Sequence, residues 1–230
     1  MTTMSPASSL DLAQARFNMI EQQVRPWDVL DRRVLDLLDR VPRERFLPEG
    51  LQALAYSDVE LPVAPGHLML APRVQARLIQ DLDLQPQDTV LEIGTGTGYM
   101  TALLSQLAAK VVSVEVSSAL AVTARANLQS FGALNAEVRN ADACAEDFAA
   151  CRDGAPWNAI VLTGSVAAVP AALLDLLAPG GRLIAITGEE PVMRATVTTR
   201  QPDGSFSVEQ PWDAVAPRLK GFPEMPAFHF

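Results

Sequence analysis

Thr89–Gly98 reads TVLEIGTGTG and runs directly into Tyr99-Met100-Thr101-Ala102-Leu103-Leu104. Val90 to Ile93 predict a short buried strand. Gly94, Gly96 and Gly98 predict a tight turn, and the residues after them open a helix. A strand passing through a glycine loop into a helix sets backbone N–H groups and a positive helix end beside a ligand. Glycine suits this loop because a Cβ would obstruct both positive φ angles and close ligand approach.

The spacing narrows the ligand. A dinucleotide fingerprint reads G-x-G-x-x-G, whereas here the third glycine arrives one residue early. Glu92 is the second clue. A carboxylate about 5 Å from a pyrophosphate charge costs roughly 3 kcal/mol at an effective dielectric of ~20. Beside a ligand carrying ammonium and sulfonium groups the sign reverses. The pattern E-x-G-x-G-x-G resembles motif I of the class I S-adenosylmethionine (SAM) methyltransferases. That resemblance sets Glu92, Gly94, Thr95, Gly96 and Gly98 against SAM. A plain tight turn is the bland alternative, and an NAD(P) oxidoreductase is disfavoured by the spacing and by Glu92.

Outward from this loop, strands and helices alternate, which implies a parallel sheet with helices on both faces. VVSVE at Val111–Glu115 predicts a second strand, followed by a helix over 118–131 and a third strand at Ala136–Arg139. Trp157–Thr163 is a near-continuous apolar strand of the kind a buried parallel sheet demands. A helix over 170–177 and a fifth strand at Arg182–Thr187 follow. Val192–Arg200 and Ser205–Trp212 flank Pro202-Asp203-Gly204, a hairpin signal. The expected fold is therefore α/β: a Rossmann-like doubly wound sheet of five parallel strands closed by an antiparallel hairpin. Upstream, residues 10–25 and 28–40 predict two helices. Leu30, Val34, Leu37, Leu38 and Val41 recur at helical spacing, with Asp28 as N-cap. Residues 56–72 are punctuated by Pro and Gly and read as loop with short extended pieces, and Pro72 opens another helix. The organisation is an N-terminal helical extension with a substrate loop (1–72) packed on a core domain (73–230), one compact unit overall.

Composition bounds the function. The 230 residues suit one domain, and 49% hydrophobic with 20% charged residues describe an ordinary globular chain. A net charge of −9 and the lack of a basic stripe argue against nucleic acid. No export signal and no membrane-spanning run are read from the sequence. Cys144 and Cys151 alone suggest reduced thiols in a cytoplasmic protein, and His67 and His229 are too few for a metal site.

Other candidates gather at the carboxyl ends of the predicted strands, where ligands sit in open α/β sheets. Glu115, 17 residues past Gly98, suits a bidentate hydrogen bond to ribose hydroxyls, with Val116 beside it. Asp142 suits an adenine amino group, with the Ala143 amide next to it, although a helix cap is the bland reading. Thr163 ends the fourth strand facing the same crevice.

The run VPRERFLPEG, AYSDVELPV, the loop EIGTGTGY, then VVSVE, WNAIVLTGSV and LAPGGRLIAITG resembles the protein-L-isoaspartate O-methyltransferase family over Arg16 to Gly204. The resemblance implies transfer of a methyl group from SAM, leaving S-adenosylhomocysteine, to a carboxylate of damaged isoaspartyl residues. It also marks departures. The family's substrate loop reads like G-Q-T-I-S-Q-P and contacts the acceptor through Thr and Ser hydroxyls. Here Leu68, Met69, Leu70 and Ala71 follow His67, and both hydroxyls have become leucine. Asn158 stands where the family carries Asp, and Ala141-Asp142-Ala143 replaces G-D-G. A carboxylate acceptor needs no base, only orientation. His67, Arg73, Thr163 or backbone amides would have to supply the lost donors. A hydroxyl acceptor would need a base, for which His67 is the nearby candidate. Two alternatives stay open: a diverged methyltransferase for a less polar acceptor, small or protein-borne, and a SAM-binding protein without catalysis.

Overall fold

The computed structural model describes residues 9–145 and 148–224. Residues 1–8, the start of the stretch read as lacking an export signal, and His229 lie outside the described residues.

The N-terminal third is helical. Helix α1 (Ser9–Met19) widens into a π turn at Ile20–Val24 and then tightens into a 3₁₀ turn at Arg25–Trp27. Helix α2 (Arg32–Arg40) is capped by Asp31, whose carboxylate accepts from the Arg33 amide at 2.8 Å. The expected cap, Asp28, instead adopts φ 58° and closes the preceding turn. Chain reversal there delays the helix, so Leu30 falls outside it and is exposed. Strands β1 (Leu61–Ala64) and β2 (His67–Met69) pair as a small hairpin, with Leu61 opposite Met69. Helix α3 (Pro72–Leu82) follows at once, with Pro at its first turn.

The core is a seven-stranded sheet: β3 (Thr89–Ile93), β4 (Lys110–Glu115), β5 (Ala136–Asn140), β6 (Trp157–Val166), β7 (Leu177–Glu189), β8 (Val192–Arg200) and β9 (Phe206–Asp213), in spatial order 5-4-3-6-7-8-9. The first five in that order run parallel, and β8 and β9 close the sheet antiparallel. Helices α4 (Tyr99–Ser105) and α5 (Ser118–Phe131) carry the chain from β3 out to β5, after which it returns to the other side of β3. That reversal makes the carboxyl ends of β3 and β6 the crevice where such sheets bind ligands. Two expectations needed adjusting. The helix expected over 170–177 is one turn, α7 (Ala171–Leu174), because Leu177 already belongs to β7. β7 is accordingly more than twice the expected six residues.

Each sheet face packs its own apolar layer. Val90, Val161, Ile184 and Ile186 meet α1 to α5, while Leu91, Val112, Ile160 and Leu183 meet Trp157, Leu173 and the short α6 (Ala149–Arg152). Among the described residues, no helix is long and apolar enough to cross a membrane, and no cluster of His, Cys, Asp and Glu could hold a metal ion.

Candidate active site

The sequence of β3 ends in a loop that can only turn with glycine. Gly94, Gly96 and Gly98 hold φ of 98°, 56° and 91°. The three positions do different work. A Cβ on Gly94 would strike Thr163 Oγ1 at 2.6 Å and Leu219 at 2.8 Å, so this glycine permits tight packing. Gly98 packs against Ala124 and Leu128 of α5 at the start of α4. A Cβ on Gly96 would meet nothing within 4 Å. It faces open space, a cradle that any side chain would fill.

That space is an open crevice at the carboxyl edge of the sheet, where ligands of such folds sit. Its floor is Ile93, Gly94, Gly96, Glu115, Val116, Ala141, Ala143 and Thr163, and one wall is Gly66, His67 and Leu68 from the hairpin. Glu115 is almost wholly buried, yet its oxygens are spoken for on one side only. Oε2 accepts from the Gly96 amide and Oε1 from the Ser117 amide, each at 2.8 Å. Each carboxylate oxygen keeps a lone pair for a further donor, such as a vicinal diol. Thr163 donates its hydroxyl to the Gly94 carbonyl and, at 3.0 Å, to the Ile93 carbonyl. It reaches this position because five residues of β6, Val161 to Ser165, span the same length as three of β7, Ile184 to Ile186. The bulge lifts Thr163 and Gly164 out of the ladder.

A smaller lobe opens between the hairpin and the glycine loop, lined by Leu68, Met69, Leu70, Thr95, Thr97, Gln75 and Thr163. Leu68 borders both lobes and is 42% exposed, while Leu70 and Ala71 are buried. The Leu70 carbonyl accepts from Arg43 Nη2 at 2.8 Å, and Arg43 also pairs with Gln75. Arg43 is fully buried 5.1 Å from the Tyr99 ring, and burial pulls its guanidinium down to about 10, still charged at neutral pH. This fixed cation sets the path of the loop from within.

Three candidates sit elsewhere. Glu92 is buried behind the glycine loop, taking the Thr101 hydroxyl of α4, and burial raises its carboxyl to about 8. Its side chain does not line either lobe. The strand alternation explains this: Glu92 points to the sheet face that packs α4, where Thr101 meets it. Arg73 is drawn off by Asp58 and by stacking 4.4 Å from the Trp27 ring. Asp142 takes the Cys144 amide at 2.9 Å in a local turn, flanked by Ala141 and Ala143, which do line the crevice. Asn158 sits at the far end of β6, accepting from the Thr89 amide and hydroxyl.

The last wall has no counterpart in the sequence reading. After β9 the chain crosses the edge of the sheet as a strap. The Ser165 amide donates to the Pro217 carbonyl at 2.7 Å, the Leu219 amide to the Ser165 carbonyl at 2.9 Å, and the Ser165 hydroxyl to the Ala216 carbonyl at 2.7 Å. Pro217, Arg218, Leu219, Lys220 and Phe222 thereby roof the crevice. Gly164 accommodates them, since a Cβ there would lie 2.8 Å from the Pro217 carbonyl oxygen.

Comparison with known proteins agrees with this architecture. A family model described as protein-L-isoaspartate(D-aspartate) O-methyltransferase matches residues 15–215. Protein-L-isoaspartate O-methyltransferase 1 of Syntrophobacter fumaroxidans is 37% identical over 195 residues, covering 85% of this chain and 89% of its own. The Methanoculleus marisnigri protein of the same family is 40% identical over 173 residues, 75% of this chain and 77% of its own. In fold, the chain is similar to a Plasmodium falciparum structure described as a protein-L-isoaspartate O-methyltransferase in complex with S-adenosyl-L-homocysteine. The TM-score is 0.73 at 19% identity, over 90% of this chain and 98% of that one.

Proposed function

The chain belongs to the protein-L-isoaspartate(D-aspartate) O-methyltransferase family, and from that premise we propose that it methylates the carboxylate of isoaspartyl residues in damaged protein, using SAM. The observation that carries the reading is Glu115: a buried carboxylate at the strand edge, held by two amides, with lone pairs left toward a crevice that Gly96 keeps open. We assign the ribose hydroxyls to Glu115 and the adenine to the side lined by Val116 and Ala143, with Asp142 shaping that turn. Gly94 and Thr95 form the bend of the loop and Gly98 seats it on α5. Glu92 supports the loop from beneath. We read residues up to 72 as the part that shapes the acceptor side and the remainder as the part that holds the cofactor.

SAM, when bound, supplies a methyl group on a positively charged sulfur. The chain's own residues need only hold the acceptor carboxylate in line and keep water away, since a carboxylate is already a nucleophile. Leu68 and Leu219 supply apolar walls for that purpose. The free thiols Cys144 and Cys151 fit a reducing compartment such as the cytoplasm and a role in protein repair there. Incubation with labelled SAM and an isoaspartyl peptide tests the proposal. Base-labile methyl ester on the isoaspartyl peptide, and none on its aspartyl counterpart, is the expected result. SAM binding with no ester at any pH would overturn it. Exposed Leu68 favours one second reading, a less polar carboxylate acceptor, which the same assay on cell extract would reveal.

A further inference from the structure

The acceptor side has lost two hydroxyl donors and keeps no obvious substitute on the hairpin itself. The roof carries one. Arg218 lines the crevice from the strap, and its Nη1 is shielded from solvent with no hydrogen-bond partner among the described residues. Its only ion pair there is through Nη2 to Glu224, 3.3 Å away and largely exposed, a contact that contributes little. His67 lines the same space from the facing hairpin. Its Nδ1 lies 3.0 Å from the Pro65 carbonyl oxygen, and its Nε2 is likewise buried and unpartnered. The two elements are brought close at this point: Lys220 Nζ of the strap lies 3.6 Å from where a Cβ of Gly66 would be.

A shielded guanidinium nitrogen without a partner is costly unless something completes it. The charges around the crevice say what that must be. Its lining holds one carboxylate, Glu115, against Arg218 and Lys220. A cationic methyl donor adds further positive charge. A neutral acceptor would leave Arg218 uncompensated beside that cation, whereas a carboxylate acceptor pairs with it.

On the reading given above, we propose that Arg218 is the acceptor-positioning residue: its guanidinium holds the carboxylate that is methylated, in place of the hydroxyls missing at Leu68 and Leu70, with the His67 ring lining the same space. Lys220 sits at the rim, where an acidic flank of a peptide would pass.

The test measures methylation of an isoaspartyl peptide by the wild type, R218Q, R218K and H67Q, with SAM affinity followed by calorimetry. Loss of a charge-assisted hydrogen bond raises KM for the peptide about tenfold to a hundredfold in R218Q. The expected kcat stays within about threefold and the SAM Kd within about twofold, because the carboxylate needs orientation rather than activation. R218K, which keeps the charge but not the fork, recovers part of the loss, and H67Q shows a smaller rise in KM. Should R218Q lose its fold, R218M, which matches the aliphatic stem, takes its place with the same expected KM. A wild-type KM in the variant, with the wild type active, overturns this assignment and leaves the methyltransferase reading standing. No ester from the wild type sinks that reading, and this inference with it.

Discussion

The Gly96 amide donates to Glu115 Oε2 across 2.8 Å, tying the glycine loop after β3 to the carboxylate that ends β4. One side chain thus organises the loop and faces the crevice. Glu115→Ala should lower SAM affinity about tenfold to a hundredfold by calorimetry, through loss of a charge-assisted partner and loosening of the loop. Glu115→Gln, which keeps one accepting oxygen, should fall between. An unchanged Kd in the alanine variant would count against the cofactor placement.

Gly94 and Gly96 separate packing from binding. Gly96→Ala places its methyl in open space, so the fold bears only the left-handed backbone penalty of about 1–2 kcal/mol, while SAM affinity falls more than tenfold. Gly94→Ala drives a methyl into Thr163 and Leu219 and should destabilise by more than ~2 kcal/mol. Urea midpoints alongside ligand titration would distinguish the two. Equal effects on both readouts would refute the division.

Glu92 makes stability depend on pH. Its carboxyl rises from 4.5 to about 8 through burial, so the benefit of keeping it neutral is fully present below pH 4.5 and is lost as pH rises through 8. Glu92→Gln mimics the neutral form. Its urea midpoint should gain on the wild type across that window, by on the order of a few kcal/mol at the alkaline end. A difference that stays flat with pH would rule this out.

Arg43 holds the substrate loop by the Leu70 carbonyl. Arg43→Met removes a buried cation but strands that carbonyl and Gln75, at a cost of about 2–4 kcal/mol. Hydrogen exchange should quicken over 66–71 before the sheet loosens. Uniform exchange across the chain would argue that Arg43 is only core packing.

Leu68 and Leu70 should answer differently to restored hydroxyls. Leu68→Thr, at a partly exposed site, should leave stability within about 0.5 kcal/mol and lower KM for an isoaspartyl peptide. Leu70→Ser empties a buried site and should cost about 2–4 kcal/mol. Thermal melts and steady-state kinetics check both.

The sheet was readable because its central parallel strands are buried on both faces and carry near-continuous apolar runs, as at Trp157 to Leu162, broken only by Asn158. The glycine loop and Glu115 were readable because their spacing follows from strand, turn and helix lengths. The side Glu92 takes was not legible because position in a motif does not say which face of a strand a side chain occupies, and the pleat turns it to α4. Asp28 was misjudged because a left-handed residue can end one turn and still resemble the cap of the next helix. Arg218 was missed altogether. A strap has no periodicity, and nothing in PRLKG reveals that it returns to Ser165, some fifty residues upstream.

That return places the roof on a stretch of chain outside the seven strands. The seven strands pair among themselves, while the chamber above Gly94 is closed by Pro217 to Phe222, a stretch bonded back to Ser165. Within that stretch the work is divided by residue: Leu219 and Phe222 pack into the layer beneath, so the charged Arg218 and Lys220 are the positions at which substitution can retune what enters.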